Sequence, residues 1–176
     1  NSRYAPILQV NDVLVTAWRR YDQQVQAKLY EVREANKARD FAGALRTAQA
    51  WRGSTPLDPY ADRELKALED WARKEQERKD RQTAQLKAGE DKFKRHDYAG
   101  AVKDFEAGLA NAGNVFNNSD TAYTTALELK GQAQARLKRL GELVPMVRAA
   151  AEGQVNSVPV DDAVRAADEA LGLQPD

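Results

Sequence analysis

The sequence of 176 residues contains no cysteine and a single histidine, His96. The absence of cysteine excludes disulfide bonds, thiolate metal sites and cysteine nucleophiles. One histidine cannot build a histidine-based metal site, and no partners of a catalytic triad accompany His96. The sequence also lacks a Gly-x-x-x-x-Gly-Lys phosphate loop, a His-Glu-x-x-His motif and a Gly-x-Ser-x-Gly motif. We therefore expect a protein that is not an enzyme, with no catalytic residues, no metal ligands and no cofactor.

Neither sign of charge is in excess, because 27 basic residues balance 27 acidic residues. No global field therefore attracts the chain to nucleic acid or to anionic lipid, and we expect no nucleic-acid partner. No apolar run approaches the roughly 18 residues of a membrane span. The longest run, from Ile7 to Trp18, is interrupted by four polar residues. The sequence therefore predicts no membrane span.

The two ends of the sequence suggest a segment cut from a longer protein. The amino terminus lacks an initiator methionine and lacks a basic region followed by an apolar segment, so no signal peptide is visible. The last residues, Leu173 to Asp176, are typical of the end of a helical repeat. These features favour a segment of a longer protein, and they fit a cytoplasmic or a periplasmic location equally well.

Two stretches of the sequence, Lys37–Ala48 and Lys94–Phe105, are near copies. In each, a basic turn is followed by Asp, an aromatic residue, Ala-Gly-Ala and an aliphatic residue. A third, weaker copy begins at Asp161. The equivalent alanines, which recur after 57 and 62 residues, are Ala44, Ala101 and Ala163. A unit that recurs along a chain indicates a repeat protein.

Apolar residues recur at steps of three and four, which is the spacing of amphipathic helices. The first helix is predicted to run from Pro6 or Asn11 to about Asn36. Its predicted inward face is Leu14, Trp18, Tyr21, Val25, Leu29 and Val32. Later helices are predicted at Phe41–Trp51, Tyr60–Arg95 and Tyr98–Ala110, then from Ser119 or Asp120, and from Asp161 or Asp162.

Pro145 is predicted to kink the fifth helix or to divide it in two. The predicted inward face of that helix is Tyr123, Leu127, Ala133, Leu137, Leu140 and Val144. We expect an all-α fold of long and short antiparallel helix pairs, arranged as a helical repeat or bundle. The chain is predicted to form a single domain of three units, at residues 6–56, 60–113 and 119–176.

Two further stretches allow more than one interpretation. Arg73–Gln82 contains no apolar residue, and pairs such as Glu75–Lys79 can contribute about 0.2–0.5 kcal/mol each. This stretch is either a solvated helix surface or a charged docking face. Val115 and Phe116 are two apolar residues in a polar loop, and they either tuck into a helix junction or form an exposed contact.

The short helices resemble those of the tetratricopeptide repeat. The pattern of an alanine, an apolar residue, a small residue and a closing proline is present as Ala44, Ala48, Trp51 and Pro56, as Ala101, Phe105, Gly108 and Gly113, and as Ala163, Ala167, Ala170 and Pro175. Trp51 stands where a small residue is favoured, and Gly113 stands where the proline belongs. Gly89 falls where the family favours glycine. The small residues would let paired helices approach closely, with Phe105 as a buried anchor.

The repeat length departs from the family. A standard unit has about 34 residues, so the first helix of each pair must be extended here, or an extra helix must intervene. A bundle of long helices with repeat-like corners fits the pattern equally well.

The resemblance implies that a partner protein or peptide lies along the first helices. The implied contact residues are Gln26, Leu29, Arg33, Asn36, Lys37, Thr83, Leu86, Glu90, Phe93 and Lys94. The Lys/Asn set that clamps a carboxy-terminal peptide in chaperone-binding members is not reproduced. Leu29, Leu86 and Phe93 also fit the helix core.

Three functions remain open from the sequence. The first is a non-catalytic scaffold for protein–protein interaction. The second is a structural subunit that self-associates within a larger envelope or filament complex. The third is a regulatory helical domain of a larger enzyme.

Overall fold

The computed structural model of the protein describes residues 5–54, 56–153 and 159–173, with side chains from residue 10 onward. Six α-helices lie in these ranges: α1 (Ala5–Lys37), α2 (Phe41–Ser54), α3 (Pro59–Lys94), α4 (Tyr98–Leu109), α5 (Thr121–Ala151) and α6 (Val160–Leu173). A short 3₁₀ turn, Ala112–Asn114, precedes α5. The described residues contain no strand, so the all-α prediction is confirmed.

The predicted helix boundaries agree with the structure to within a few residues, with one correction at Pro145. This proline lies inside α5, which continues without interruption to Ala151. The alternative that Pro145 divides the helix in two is therefore wrong. Proline removes one backbone N–H, but its side chain is exposed here, so its ring crowds no neighbouring helix.

The turns that end α1 and α3 have the same backbone geometry. Arg39 and His96 both adopt φ of 62°. In the first turn, Arg39 N–H donates to the Asn36 carbonyl and Asp40 N–H donates to the Ala35 carbonyl. In the second turn, His96 N–H donates to the Phe93 carbonyl and Asp97 N–H donates to the Lys92 carbonyl. This is the Schellman pattern, which satisfies carbonyls at a helix end.

An aspartate follows each of these turns and caps the next helix. Asp40 Oδ1 accepts from Gly43 N–H at 2.8 Å, and Asp97 Oδ1 accepts from Gly100 N–H at 2.8 Å. A Cβ at either glycine would collide with the capping carboxylate. The shared Asp and Ala-Gly-Ala residues therefore form the same helix–turn–helix corner at two places in the chain.

The contacts divide the chain into two compact units, Asn1–Arg78 and Lys79–Asp176. The boundary falls within α3 and does not coincide with the three predicted repeat units, which stay a prediction. The core of the first unit comprises Val25, Leu29, Val32, Phe41, Ala44, Ala48, Trp51, Ala61, Leu65 and Ala72.

The predicted inward face of α1 is correct only in its second half. Leu14 is 55% exposed and Trp18 is 65% exposed, so their predicted burial is wrong. The physical reason is length, because α1 has 33 residues whereas α2 has only 14. At about 1.5 Å per residue, the shorter helix cannot cover the amino-terminal half of α1.

The core of the second unit comprises Leu86, Tyr98, Ala101, Phe105, Ala112, Val115, Phe116, Ala126, Ala133, Leu143, Ala163 and Ala166. Val115 and Phe116 are buried. They therefore pack into a helix junction and do not form an exposed contact. Leu127 and Val144 are exposed, so their predicted burial is wrong. Of the predicted face, Ala133 is buried as expected, and the other buried positions of α5 are Ala126 and Leu143.

No side chain of Arg73–Gln82 is fully buried. The predicted Glu75–Lys79 pair is not formed, since Glu75 lies 3.7 Å from Arg78 and Lys79 lies 3.0 Å from Asp120. Among the residues that the structure describes, no helix is both long and apolar enough to cross a bilayer.

Candidate binding groove

The corner between α3 and α4 is built by two glycines that face two large side chains. Gly89 on α3 lies against the ring of Phe105, and Gly108 on α4 lies against the side chain of Leu86. All four residues are buried. Removing a Cβ at each contact lets the two helices approach closely, and this places the edge of the Phe105 ring between α3 and α5.

An open groove of about 360 Å³ lies between α3 and the start of α5 in the second unit. Its lining residues are Thr83, Leu86, Lys87, Glu90, Phe105, Thr121, Ala122, Thr125, Ala126 and Leu129. Leu86 and Phe105 are buried and supply an apolar floor. Lys87 and Glu90 lie at the edge of the groove on α3. The groove therefore has an apolar interior and one charge of each sign at this edge.

Among the described residues, Glu90 is paired with another side chain, whereas Lys87 is not. Glu90 accepts a hydrogen bond of 2.6 Å from Lys94. This hydrogen bond, with the charge of Glu90, raises the pKa of Lys94 above its ordinary value. Lys87 is exposed and forms no ion pair with the residues described. A partner carboxylate would therefore meet an unpaired cation at Lys87.

The opposite wall of the groove is held by a cluster at the start of α5. Lys79 Nζ lies 3.0 and 3.1 Å from the two Asp120 carboxylate oxygens. Asp120 Oδ2 also accepts from Asn117 N–H at 2.8 Å. Phe116 stacks on Tyr123 with ring centroids 5.9 Å apart, and Lys79 lies over the Phe116 ring. These contacts fix the loop that sets the position of α5.

The predicted contact residues of the second unit fall into two groups. Thr83, Leu86 and Glu90 line the groove. Phe93 and Lys94 do not line it. Phe93 packs edge-on against Tyr98 with centroids 5.5 Å apart, and the exposed Lys94 pairs with Glu90.

The predicted contact residues of the first unit do not share one surface. Leu29 and Asn36 are buried, and the Asn36 side chain donates to the Leu68 carbonyl at 3.4 Å. The other three residues are exposed: Gln26, Arg33 and Lys37. Arg33 forms an ion pair with Glu64 at 3.3 Å, and Lys37 lies 3.6 Å from Glu34.

Sequence reasoning missed a polar cluster that ties α6 to the α3–α4 corner. The buried Tyr98 hydroxyl donates to the Leu173 carbonyl at 2.8 Å and accepts from Arg136 Nη1 at 2.6 Å. His96 Nδ1 lies 2.8 Å from the Tyr98 hydroxyl and 3.1 Å from the Leu173 carbonyl. Since that carbonyl only accepts, His96 Nδ1 is the donor in its contact with Leu173.

Within the described ranges, no three His, Cys, Asp or Glu side chains are grouped so that they could hold a metal ion. Comparison with protein-family models finds no match to the chain. Comparisons with curated proteins and with solved structures also find no significant similarity. The chemistry of the groove is therefore argued from the residues of this chain alone.

Proposed function

We propose that the chain is a non-catalytic, tetratricopeptide-repeat-like scaffold whose second unit binds a segment of a partner protein. The observation that carries this proposal is the open groove between α3 and α5. Three residues that the family resemblance assigns to ligand contact, Thr83, Leu86 and Glu90, line it. The matched corners at Asp40 and Asp97 support the same family resemblance, because equivalent repeat units should have equivalent turns.

The groove favours a peptide over a small-molecule substrate. Its volume of about 360 Å³ is near the lower end of the roughly 300–1,000 Å³ of small-molecule sites, and it is open along one side. Ala122 and Leu129, which keep accessible surface above the buried Leu86, would take one or two apolar side chains. Lys87 would pair with an acidic residue of the same peptide. We therefore expect a short segment in which an acidic residue adjoins apolar ones.

The test is a pair of matched tryptophan substitutions on α5. Ala122 is exposed and lines the groove, whereas Ala135 is exposed on the opposite face of the same helix. Peptides are first selected from a random library on the immobilised chain, and their affinities are measured by fluorescence polarisation. Ala122→Trp should fill the groove and weaken binding by at least about tenfold, which corresponds to ~1.4 kcal/mol. Ala135→Trp should leave binding unchanged.

A second variant tests the charge at the rim. Lys87→Glu should weaken the binding of an acidic peptide and should spare its variant in which the acid is replaced by an amide. Circular dichroism confirms that each variant is folded. Failure to select any peptide, or equal affinity for the two tryptophan variants, would remove the groove as the binding site.

A further inference from the structure

Two threonines on α5 present hydroxyl groups to the groove between α3 and α5. Thr121 and Thr125 both line this groove. Neither hydroxyl hydrogen-bonds to another residue that the structure describes, whereas the Thr124 hydroxyl lies 3.1 Å from the Thr121 carbonyl of its own helix. A hydroxyl can both donate and accept a hydrogen bond. The α5 wall of the groove therefore offers two unpaired polar groups to an occupant.

The two hydroxyls are spaced like the backbone groups of an extended chain. Thr121 and Thr125 are four residues apart on a helix, so they are separated by about 6 Å along its axis. In an extended chain, residues i and i+2 direct their N–H and C=O groups to the same edge, and they lie about 6.7 Å apart. Both hydroxyls can therefore bond to one edge of the same extended segment.

The size of the groove also favours an extended chain over a helix. Its α5 wall, from Thr121 to Leu129, is about 12 Å long, so a volume of about 360 Å³ corresponds to a cross-section of about 30 Å². A helix with a diameter of about 10 Å has a cross-section of about 80 Å². An extended backbone with one row of side chains needs only about 25 Å², given the spacings of strands and sheets. The groove therefore has room for about four extended residues.

The unpaired charge of Lys87 lies further along the same groove. Lys79 pairs with Asp120 at 3.0 Å, so these two residues lie at about the same level, and α3 and α5 both run along the groove from this pair. At about 1.5 Å per residue, Lys87 is about 12 Å beyond the pair and Thr125 is about 7.5 Å beyond it. An acidic side chain that meets Lys87 therefore belongs to a residue one or two positions from the residue that Thr125 contacts.

We propose that the groove binds about four residues of a partner protein in an extended conformation, with the Thr121 and Thr125 hydroxyls hydrogen-bonded to one edge of the peptide backbone. This inference rests on the proposed function, because it concerns the same groove. Main-chain hydrogen bonds supply affinity that does not depend on side-chain identity. The groove therefore accepts varied sequences, provided that an acidic residue lies opposite Lys87.

The first test removes the two hydroxyls while keeping the shape of the wall. The probes are the peptides selected on the immobilised chain, and fluorescence polarisation measures their affinity. The double variant Thr121→Val and Thr125→Val should bind at least about fivefold more weakly, because two hydrogen bonds are lost. The matched control is Thr124→Val, since Thr124 is exposed and lies outside the groove lining. This control should bind like the unmodified chain, and equal affinities of the two variants would overturn the inference.

The second test fixes the conformation of the peptide. A covalent staple between positions i and i+4 of a selected peptide enforces a helix and should weaken binding at least tenfold. The matched control is a peptide that carries the same two staple residues without the cross-link. If the stapled peptide binds as tightly as this control, or more tightly, the bound segment is a helix and the inference is wrong.

Ala122→Trp separates this inference from the proposed function. If that substitution blocks binding but the double valine variant binds normally, the groove is the binding site and its contact with the peptide backbone is wrong. If Ala122→Trp leaves binding unchanged, the groove is not the binding site and both proposals fail. Circular dichroism confirms that the valine variants are folded.

Discussion

Gly89 lies against the ring of Phe105 so closely that a Cβ on Gly89 would stand 2.8 Å from both Cδ1 and Cε1 of the ring. Both residues are buried, and the ring is held between α3, α4 and α5. The glycine is therefore required by the packing of one particular side chain, since Gly89 lies in the interior of a helix where glycine is otherwise unfavourable.

Gly89→Ala should destabilise the protein. An added methyl group in a well-packed junction costs about 1–3 kcal/mol, which outweighs the ~1 kcal/mol by which alanine favours a helix interior. Chemical denaturation measures the change. The matched control is Gly131→Ala in α5, where no atom lies within 4 Å of the new Cβ. That variant should gain stability, and a gain for Gly89→Ala as well would contradict the close packing.

Arg39→Gly should stabilise the protein. Arg39 has a φ of 62°, and a left-handed residue other than glycine costs about 1–2 kcal/mol. Part of this gain is offset by the greater freedom of glycine in the unfolded chain, so we expect a net increase of about 0.5–1 kcal/mol in the free energy of unfolding.

His96 offers a comparison for Arg39, because it has the same φ of 62° and also bonds to the Leu173 carbonyl. His96→Gly should therefore gain less stability than Arg39→Gly, or should lose stability. Equal gains from the two substitutions, measured by urea denaturation, would show that the His96 contact contributes nothing.

Tyr98→Phe should loosen the end of α6. The substitution removes a buried hydroxyl that donates to the Leu173 carbonyl and accepts from Arg136. Losing hydrogen-bond partners from buried groups costs about 1–3 kcal/mol. Hydrogen exchange should show faster exchange in the last turn of α6, while α2 is unchanged. Tyr30→Phe is the control, because Tyr30 is 61% exposed. Similar exchange in both variants would contradict the anchoring role.

Sequence patterns predicted the local features of the fold. The burial of Ala44, Ala101 and Phe105 was predicted from residues that are close in sequence, and the repeated Asp and Ala-Gly-Ala letters marked the two equivalent corners. Their physics is local as well, because a capping carboxylate reaches only three residues and a helix face is set by a period of 3.6. Such features can be predicted wherever the repeated letters are clear.

The errors arose where the outcome depended on distant elements. Periodicity gives α1 a continuous apolar face, but only the length of α2 decides that Leu14 and Trp18 stay exposed. The contacts of Tyr98 with Arg136 and Leu173 join residues that are 38 and 75 positions apart. No local pattern marks these pairs, since an arginine on a helix is ordinarily solvated. Half of the groove lining comes from α5, whose placement the sequence did not define.

The ion pair between Arg139 and Glu169 should make the α5–α6 contact sensitive to acid. The hydrogen bonds from Arg139 lower the pKa of Glu169 below its ordinary value of 4.5, and Arg139 bonds both of its carboxylate oxygens at 2.6 Å. Because the folded pKa lies below the unfolded pKa, the ion pair stabilises the folded state fully above the unfolded value. This stabilisation is lost as the pH falls through the folded pKa.

We therefore expect the melting temperature of the unmodified chain to fall more steeply below about pH 4.5 than that of Glu169→Gln. The amide of glutamine does not titrate, so the two curves should converge at low pH. Other carboxylates also affect the acid stability. The pKa of Asp58, for example, is lowered mainly by the hydrogen bond from the Ala61 N–H and next by that from the Tyr21 hydroxyl. These groups are common to both proteins and cancel in the comparison. Parallel melting curves from pH 3 to pH 7 would show that Arg139 does not favour the charged form of Glu169.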